Sequence, residues 1–366
     1  MAKKKIDGNI IKEINEMGLF TKEDSYISTG KPIIDSFIGG YTKVILDKPT
    51  GLCRGKIYSL TGEPYVGKST LVNDFICTPI KSGYKTIYQD IEGGLNEEWL
   101  KNFGLTEYVA KTLEEFIEDP KKTLYIYEPS TFYKSLSTLR SICKLVKVDI
   151  VVIDSFKQLM NDDSEDYDLE LQSGGQLMST QRKESIYFPG LRSITKLYNF
   201  VCIGIQQYRV KNIGSSNRPI FMLQPAGGNA YLHNMDTIYI VKGKKKIITN
   251  IINNMGEKVE KDIGRNIEIK SEKNRFGMHN LNLKLYFGLG ISFAWLYIDA
   301  LISANYIKRI NNITYKISGM EGIFEEGEEI STKSSLYNAI KNKFTEVEKF
   351  VYDNDILYIE KETTGE

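Results

Sequence analysis

Gly62-Glu63-Pro64-Tyr65-Val66-Gly67-Lys68-Ser69 is the stretch of this sequence whose residue types and spacing are best suited to chemistry. Its GxxxxGK[ST] pattern serves one task, cradling a chain of phosphates. The glycines let backbone N–H groups turn inward, and a helix opening at Lys68 would lend the partial positive charge of its N-terminus. Lys68 can reach the outer phosphates, the Ser69 hydroxyl suits a Mg²⁺ ion, and Thr70 carries the loop into the helix. The metal also needs a carboxylate. Val151-Val152-Ile153-Asp154 is an apolar run ending in an acid, so Asp154 would hold Mg²⁺ through water. A third group must activate the attacking water. The run Thr86–Tyr88 leads into Gln89-Asp90-Ile91-Glu92, which would project Glu92 from a strand end toward the terminal phosphate, although spacing alone favours a surface loop carboxylate. The expected ligands are ATP and Mg²⁺.

The elements that must position these groups alternate between short β-rich runs and longer helical stretches. The runs are Lys56–Leu60, Thr86–Tyr88, Leu124–Tyr127, Asp149–Ile153, Phe200–Ile205, Thr237–Val241, Ile267–Ile269 and Leu281–Tyr286. The earlier ones are nearly continuous in Val, Ile and Tyr, the pattern of strands buried on both faces of a parallel sheet. Helical segments such as Lys68–Lys81 and Thr131–Lys147 lie between them, so the fold class expected is α/β, a mostly parallel sheet flanked by helices. The last two runs are close together and predict an antiparallel extension.

Composition narrows the function. Hydrophobic residues make up 41% and charged residues 26%, with a net charge of +1, so a nucleic-acid site would have to be a local patch. Two histidines, His233 and His279, argue against a histidine-rich metal centre or a Ser-His-Asp triad. Cys53, Cys77, Cys143 and Cys202 are far apart and read as reduced core thiols. The N-terminal MAKKKIDGN lacks the apolar stretch of a secretory signal, and no apolar run approaches the ~18 residues of a membrane span. A cytoplasmic protein without a membrane partner is expected.

Six further segments make the reading specific. They are Ile27-Ser28-Thr29-Gly30 followed by Ile34-Asp35, Gln89-Asp90-Ile91-Glu92-Gly93-Gly94-Leu95, Val148 to Ser155, Ile203-Gly204-Ile205-Gln206-Gln207-Tyr208-Arg209, Gly227-Gly228-Asn229-Ala230, and Glu272-Lys273-Asn274-Arg275. In this order they resemble the bacterial and phage RecA recombinases, including the phage UvsX type, from about Ile27 to Lys316, with Tyr41–Thr50 as an insertion. The resemblance implies a RecA-type P-loop ATPase core. It implies Glu92 as the catalytic glutamate, Gln207 as the sensor of the terminal phosphate, and Asn96 and Trp99 at the adenine. Lys273 and Arg275 would be the cations that reach into the neighbouring subunit's ATP, acting like arginine fingers.

The same resemblance implies contact with single-stranded and homologous duplex DNA, self-association into a helical filament, and work beside a mediator or a single-strand-binding protein. Two segments would face the DNA. In Tyr208–Pro225, Arg209, Lys211, Arg218 and Phe221 combine cations for phosphate with an aromatic wedge. In Asn161–Leu177, six carboxylates between Asp162 and Glu170 repel phosphate, which leaves Gly174 and Gly175, with Arg182 and Arg192 beyond, as contacts. Gly227, Gly228 and Asn229 close the second loop. Lys242, Lys244, Lys245 and Lys246 read as a hairpin tip, either a solvated turn or a secondary duplex contact.

The expected organisation is an N-terminal helix or oligomerisation segment over 1–26, the ATPase core over 27–290, a small C-terminal lobe over 291–345 and a solvated acidic tail over 346–366. The activity expected is DNA-dependent ATP hydrolysis in the service of DNA repair and strand exchange. Two rivals remain, a hexameric RecA-fold helicase or motor and a DNA-binding regulator that keeps ATP only as a ligand. The pair Lys273 and Arg275 argues against the first, and Glu92 against the second.

Overall fold

Strands β3 (Ile57–Gly62), β4 (Thr86–Asp90) and β7 (Ile150–Asp154) are buried at every residue, as expected of strands covered on both faces. They lie at the centre of a mixed sheet in the computed structural model, which describes residues 26–39, 51–161, 180–212, 221–225, 228–252, 258–274 and 280–354. The sheet runs β13 (Gly290–Ile291), β12 (Asn280–Tyr286), β11 (Lys258–Lys273), β10 (Thr237–Ile252), β3, β8 (Val201–Asn212), β7, β4, β6 (Leu124–Tyr127), β5 (Val109–Ala110). From β10 to β5 all neighbours are parallel. β11, β12 and β13 extend the β10 edge antiparallel, as the closely spaced apolar runs predict. β9 (Phe221–Pro225) pairs antiparallel with the far end of β8, and β1 (Tyr26–Ile27) and β2 (Leu52–Cys53) form a separate antiparallel pair.

Helices cover both faces. Alternation within each strand divides the side chains between them: Ile150 and Val152 join one apolar cluster, Val151 and Ile153 the other. The first cluster takes in α1 (Pro32–Gly39), α2 (Lys68–Lys81) and α9 (Phe293–Ser303); the second takes in α5 (Phe132–Leu145), α6 (Phe156–Asn161), α7 (Thr180–Tyr198) and α8 (Gly228–Asn234). Two short helices, α3 (Glu97–Asn102) and α4 (Leu113–Glu118), lie along the path between β4 and β6. Each begins at a side-chain cap, Asn96 accepting from Trp99 N and Thr112 from Glu115 N.

Two expectations need correction. Lys242–Lys246 is not a hairpin tip but the middle of β10, which pairs with β11 out to Ile252↔Lys258. A lysine run looks like a turn by composition, yet backbone pairing with a partner strand decides its conformation. Residues 346–353, read as the start of a solvated tail, are helical and partly buried. Helix α11 (Phe344–Asp353) buries Val347 and Val351 completely, and the Tyr297 hydroxyl donates to Glu348 at 2.7 Å. The strands β14 (Ile307–Arg309), β15 (Tyr315–Ile317) and β16 (Glu329–Ile330) and helix α10 (Lys333–Asn342) precede it. Their apolar residues Ile307, Ile317, Leu336 and Ile340 belong to the same cluster as α1 and α2. The segment read as an N-terminal helix and the insertion Tyr41–Thr50 lie outside the described residues.

Candidate functional site

The phosphate loop joins the C-terminal end of β3 to the N-terminus of α2. Gly67 caps the helix at φ 91°, a conformation glycine adopts without strain, and a Cβ there would meet Leu285 Cδ2 at 2.3 Å. At Gly62 a Cβ would meet the Val241 carbonyl oxygen at 2.4 Å, so β10 packs directly on the start of the loop. Tyr65 stands at the apex, 88% exposed. Lys68 folds back under the loop, donating from Nζ to Gly62 O at 3.2 Å and Glu63 O at 2.7 Å. Burial holds its pKa below the usual lysine range, against the pull of Glu92 and Asp154. Glu63 and Pro64 are exposed, Val66 is buried, and Ser69 and Thr70 are half-buried on the first turn.

Beside the loop, β4 and β7 run in register, with Asp90 opposite Asp154. The chain leaving β4 is pinned to β7 by Ile91 N and Glu92 N, which donate to Asp154 O at 2.8 and 3.1 Å. That turn delivers the Glu92 side chain to the site, where Oε1 accepts from Ser155 Oγ at 2.5 Å and from Gln207 Nε2 at 3.1 Å. The Gln207 oxygen accepts from Lys157 Nζ at 3.1 Å. Asp90 has a different task, accepting from Gly94 N and Leu95 N at 3.0 Å each and so shaping the turn after β4.

Asp154 is nearly inaccessible, and burial pushes its carboxyl up to about 6, partly opposed by hydrogen bonds from Ser69 and Tyr88. The Tyr88 hydroxyl donates to Oδ2 at 3.2 Å, while Oδ1 is buried with no partner among the described residues. An orphaned carboxylate oxygen next to a serine hydroxyl fits a hard, oxygen-seeking cation such as Mg²⁺. Lys68, Ser69, Glu92, Asp154 and Gln207, expected from widely separated segments, are thus brought together. Reading the sequence for function missed Lys157 and Tyr88. The only signal for Lys157 is its place three residues after Asp154, on the helix that leaves the strand tip.

Other expected residues have different surroundings. The Asn96 side chain is committed to capping α3, and Trp99 is buried, tilted against Phe103 with ring centroids 4.8 Å apart. Arg192 grips Asp236 with both guanidinium nitrogens at 3.0 and 3.1 Å and the Asn234 carbonyl at 2.7 Å. Its side chain is a strut for a buried carboxylate at the start of β10, a bidentate pairing that competes with the phosphate contact expected of it. Lys273 donates to Leu232 O and Met235 O at 2.6 Å each, at the C-terminal end of α8. Arg182 is exposed on α7, and Gly228 and Asn229 are exposed at the start of α8. Arg209 and Lys211 lie on β8 and Phe221 on β9. Gly174, Gly175, Arg218, Gly227 and Arg275 lie outside the described residues. All four cysteines are free thiols, with Cys77 half-buried and the others buried, as expected. Among the described residues no helix is long and apolar enough to cross a membrane.

No protein-family model matches the chain. It is similar to the DNA repair and recombination protein RadB of Methanosphaera stadtmanae, 27% identical over 130 residues, 34% of this chain and 48% of that protein. The RadB of Methanococcus maripaludis strain C7 is 31% identical over 103 residues, 28% of this chain and 44% of that one. The chain thus spans about half the length of the RadB proteins it matches. The protein RecA of Borrelia duttonii is 24% identical over 324 residues, 83% of this chain and 78% of that one. The chain is thus similar to the recombination proteins RecA and RadB, and its large, mostly parallel sheet flanked by helices is consistent with a RecA-type core.

Proposed function

We propose that the protein is an ATP-dependent recombinase, which assembles as a filament on single-stranded DNA and exchanges strands with homologous duplex. The names of its relatives, recombination protein RadB and protein RecA, support a role in DNA repair and recombination. The observation that carries the finer reading is the hydrogen bond between Glu92 and Gln207. Gln207 stands where β8 leaves the sheet, and five residues further on that strand is still paired with β9. A carboxylate able to activate water is therefore one hydrogen bond away from a ribbon whose sequence carries Arg209, Lys211 and Phe221.

In this reading the phosphates of ATP lie along the loop Gly62–Thr70, with Lys68 on the outer ones, and Ser69 and Asp154 hold Mg²⁺. The metal, when bound, neutralises charge that develops on the phosphates. The chain's own residues do the rest. Ser155 and Gln207 both donate to Oε1 of Glu92 and orient the carboxylate, so a proton from water passes to Oε2. Lys273 and Arg275 complete the site of a neighbouring subunit, so turnover needs the filament.

Electron microscopy with single-stranded DNA and a slowly hydrolysed ATP analogue tests the proposal. Helical filaments are expected only when both ligands are present. Closed rings would favour a hexameric motor, and particles unchanged by DNA would overturn the DNA-dependent reading.

A further inference from the structure

The segment just after Asp154 does something that a phosphate site does not require. The chain leaves β7 through Ser155 and turns straight into α6, whose first residue, Phe156, is fully buried. Its ring is seated against Gly204 of β8, where an added Cβ would fall 2.0 Å from two ring carbons. The missing side chain at Gly204 lets α6 settle onto β8. The next residue, Lys157, then comes within hydrogen-bond reach of Gln207, three positions further along the same strand.

The chemistry of this contact is directional. An ammonium group can only donate, so the Gln207 amide must turn its oxygen to Lys157. Its NH₂ group then points the other way, where Glu92, a carboxylate, can only accept. The observed chain of bonds obeys this order: Lys157 Nζ to Gln207 Oε1 at 3.1 Å, then Gln207 Nε2 to Glu92 Oε1 at 3.1 Å. With an apolar side chain at 157 the amide would lose the cation that dictates its orientation. Turned over, it would put its oxygen against the carboxylate and break the link.

We infer that Lys157 is a positioning residue of the turnover site, holding the Gln207 amide with its NH₂ toward Glu92 and so coupling the water-activating carboxylate to the β8–β9 ribbon. The inference rests on the proposed function for the meaning of that coupling, but the contact itself can be tested without nucleotide.

Selective ¹⁵N-glutamine labelling of the full chain gives a side-chain NH₂ signal pair for Gln207, identified by its loss in Gln207→Ala. In the nucleotide-free protein this pair should move in Lys157→Met and in Glu92→Gln, and stay near its original position in Lys157→Arg. In DNA-stimulated ATP turnover, Lys157→Met should lower kcat about tenfold while KM for ATP changes less than about twofold. Lys157→Arg should restore most of kcat. Lys157→Met should cost nothing further in a Gln207→Ala background, because residues acting through one contact are not additive. An unmoved amide pair in Lys157→Met overturns the inference, as do losses that multiply in the double variant. So does a kcat that falls only in step with a lowered melting temperature and is not rescued by arginine. Lack of DNA-stimulated turnover in the unmodified protein would instead sink the proposed function, and the amide spectra would still decide the role of Lys157.

Discussion

β8 and β10 both start in the parallel core and both run on beyond it, yet they leave it differently. β8 is buried from Val201 to Gln206, and at Gln207 it enters the network of Glu92 and Lys157. Beyond that point it pairs with β9 in unbroken register from Tyr208↔Pro225 to Asn212↔Phe221. β10 is buried from Thr237 to Val241 and then exposes Lys242 to Lys246. Its register with β11 shifts between Gly243 and Lys246, and its lysines pair at the surface with Glu268 and Asp262. The two strands are anchored differently too. Arg192 clamps β10 at its start through the buried Asp236, which also accepts from Ile57 N. The difference teaches that a strand's exit, more than its length, decides what it can transmit. An exit wired to the proposed catalytic carboxylate by oriented hydrogen bonds can report on it, whereas one edged by solvated ion pairs cannot.

The sharpest way to break this comparison is at Glu92. Glu92→Gln keeps the shape of the side chain but removes the proposed base at the end of the β8 network. ATP turnover on DNA should fall about 100-fold or more, with nucleotide binding retained; phosphate release and equilibrium nucleotide titration measure the two. Unchanged turnover would disconnect β8 from the chemistry. The anchor of β10 comes next. Arg192→Met removes the cation that neutralises the buried Asp236 carboxylate and should cost about 3 kcal/mol of stability in urea unfolding. The salt dependence of single-stranded DNA binding should be unaltered; a normal stability with a flatter salt slope would return Arg192 to the DNA. The smallest effect is expected at the exit of β10. Lys244→Ala combined with Lys246→Ala removes two exposed ion pairs and should change stability by less than about 1 kcal/mol. If these lysines neutralise phosphates of duplex DNA, the salt slope of duplex binding drops by about 0.9 for each phosphate left without its lysine; if they are solvated, it stays the same.

Local pattern carried much of the site. Phosphate-loop spacing, the apolar run closed by Asp154 and the helix opening at Lys68 are readable because each depends on neighbours a few residues away: glycine conformation, strand burial, the polarity of a helix end. The helix Lys68–Lys81, and the helix Phe132–Leu145 within the expected Thr131–Lys147, follow from the same short-range periodicity. The limits of β10 and β11 were not readable in this way. A run such as Lys242–Lys246 has no intrinsic reason to be extended, and only pairing with Glu268 to Arg265 across the ribbon makes it so.

Side-chain partners were the least legible of all. Trp99 has a face suited to stacking, but packing against Phe103 buries it; Arg192 has the charge for phosphate, but a carboxylate 44 residues away claims it. Lys157 reaches Gln207 across 50 residues of sequence because Phe156 seats in the notch at Gly204. By itself, the sequence determined which residues could hold phosphate and metal and which strands would be central, since burial and turn geometry are written in short patterns. Only the tertiary structure decided which cation meets which amide or carboxylate, because a charge takes the partner that packing brings within about 3 Å, and sequence distance does not enter that choice.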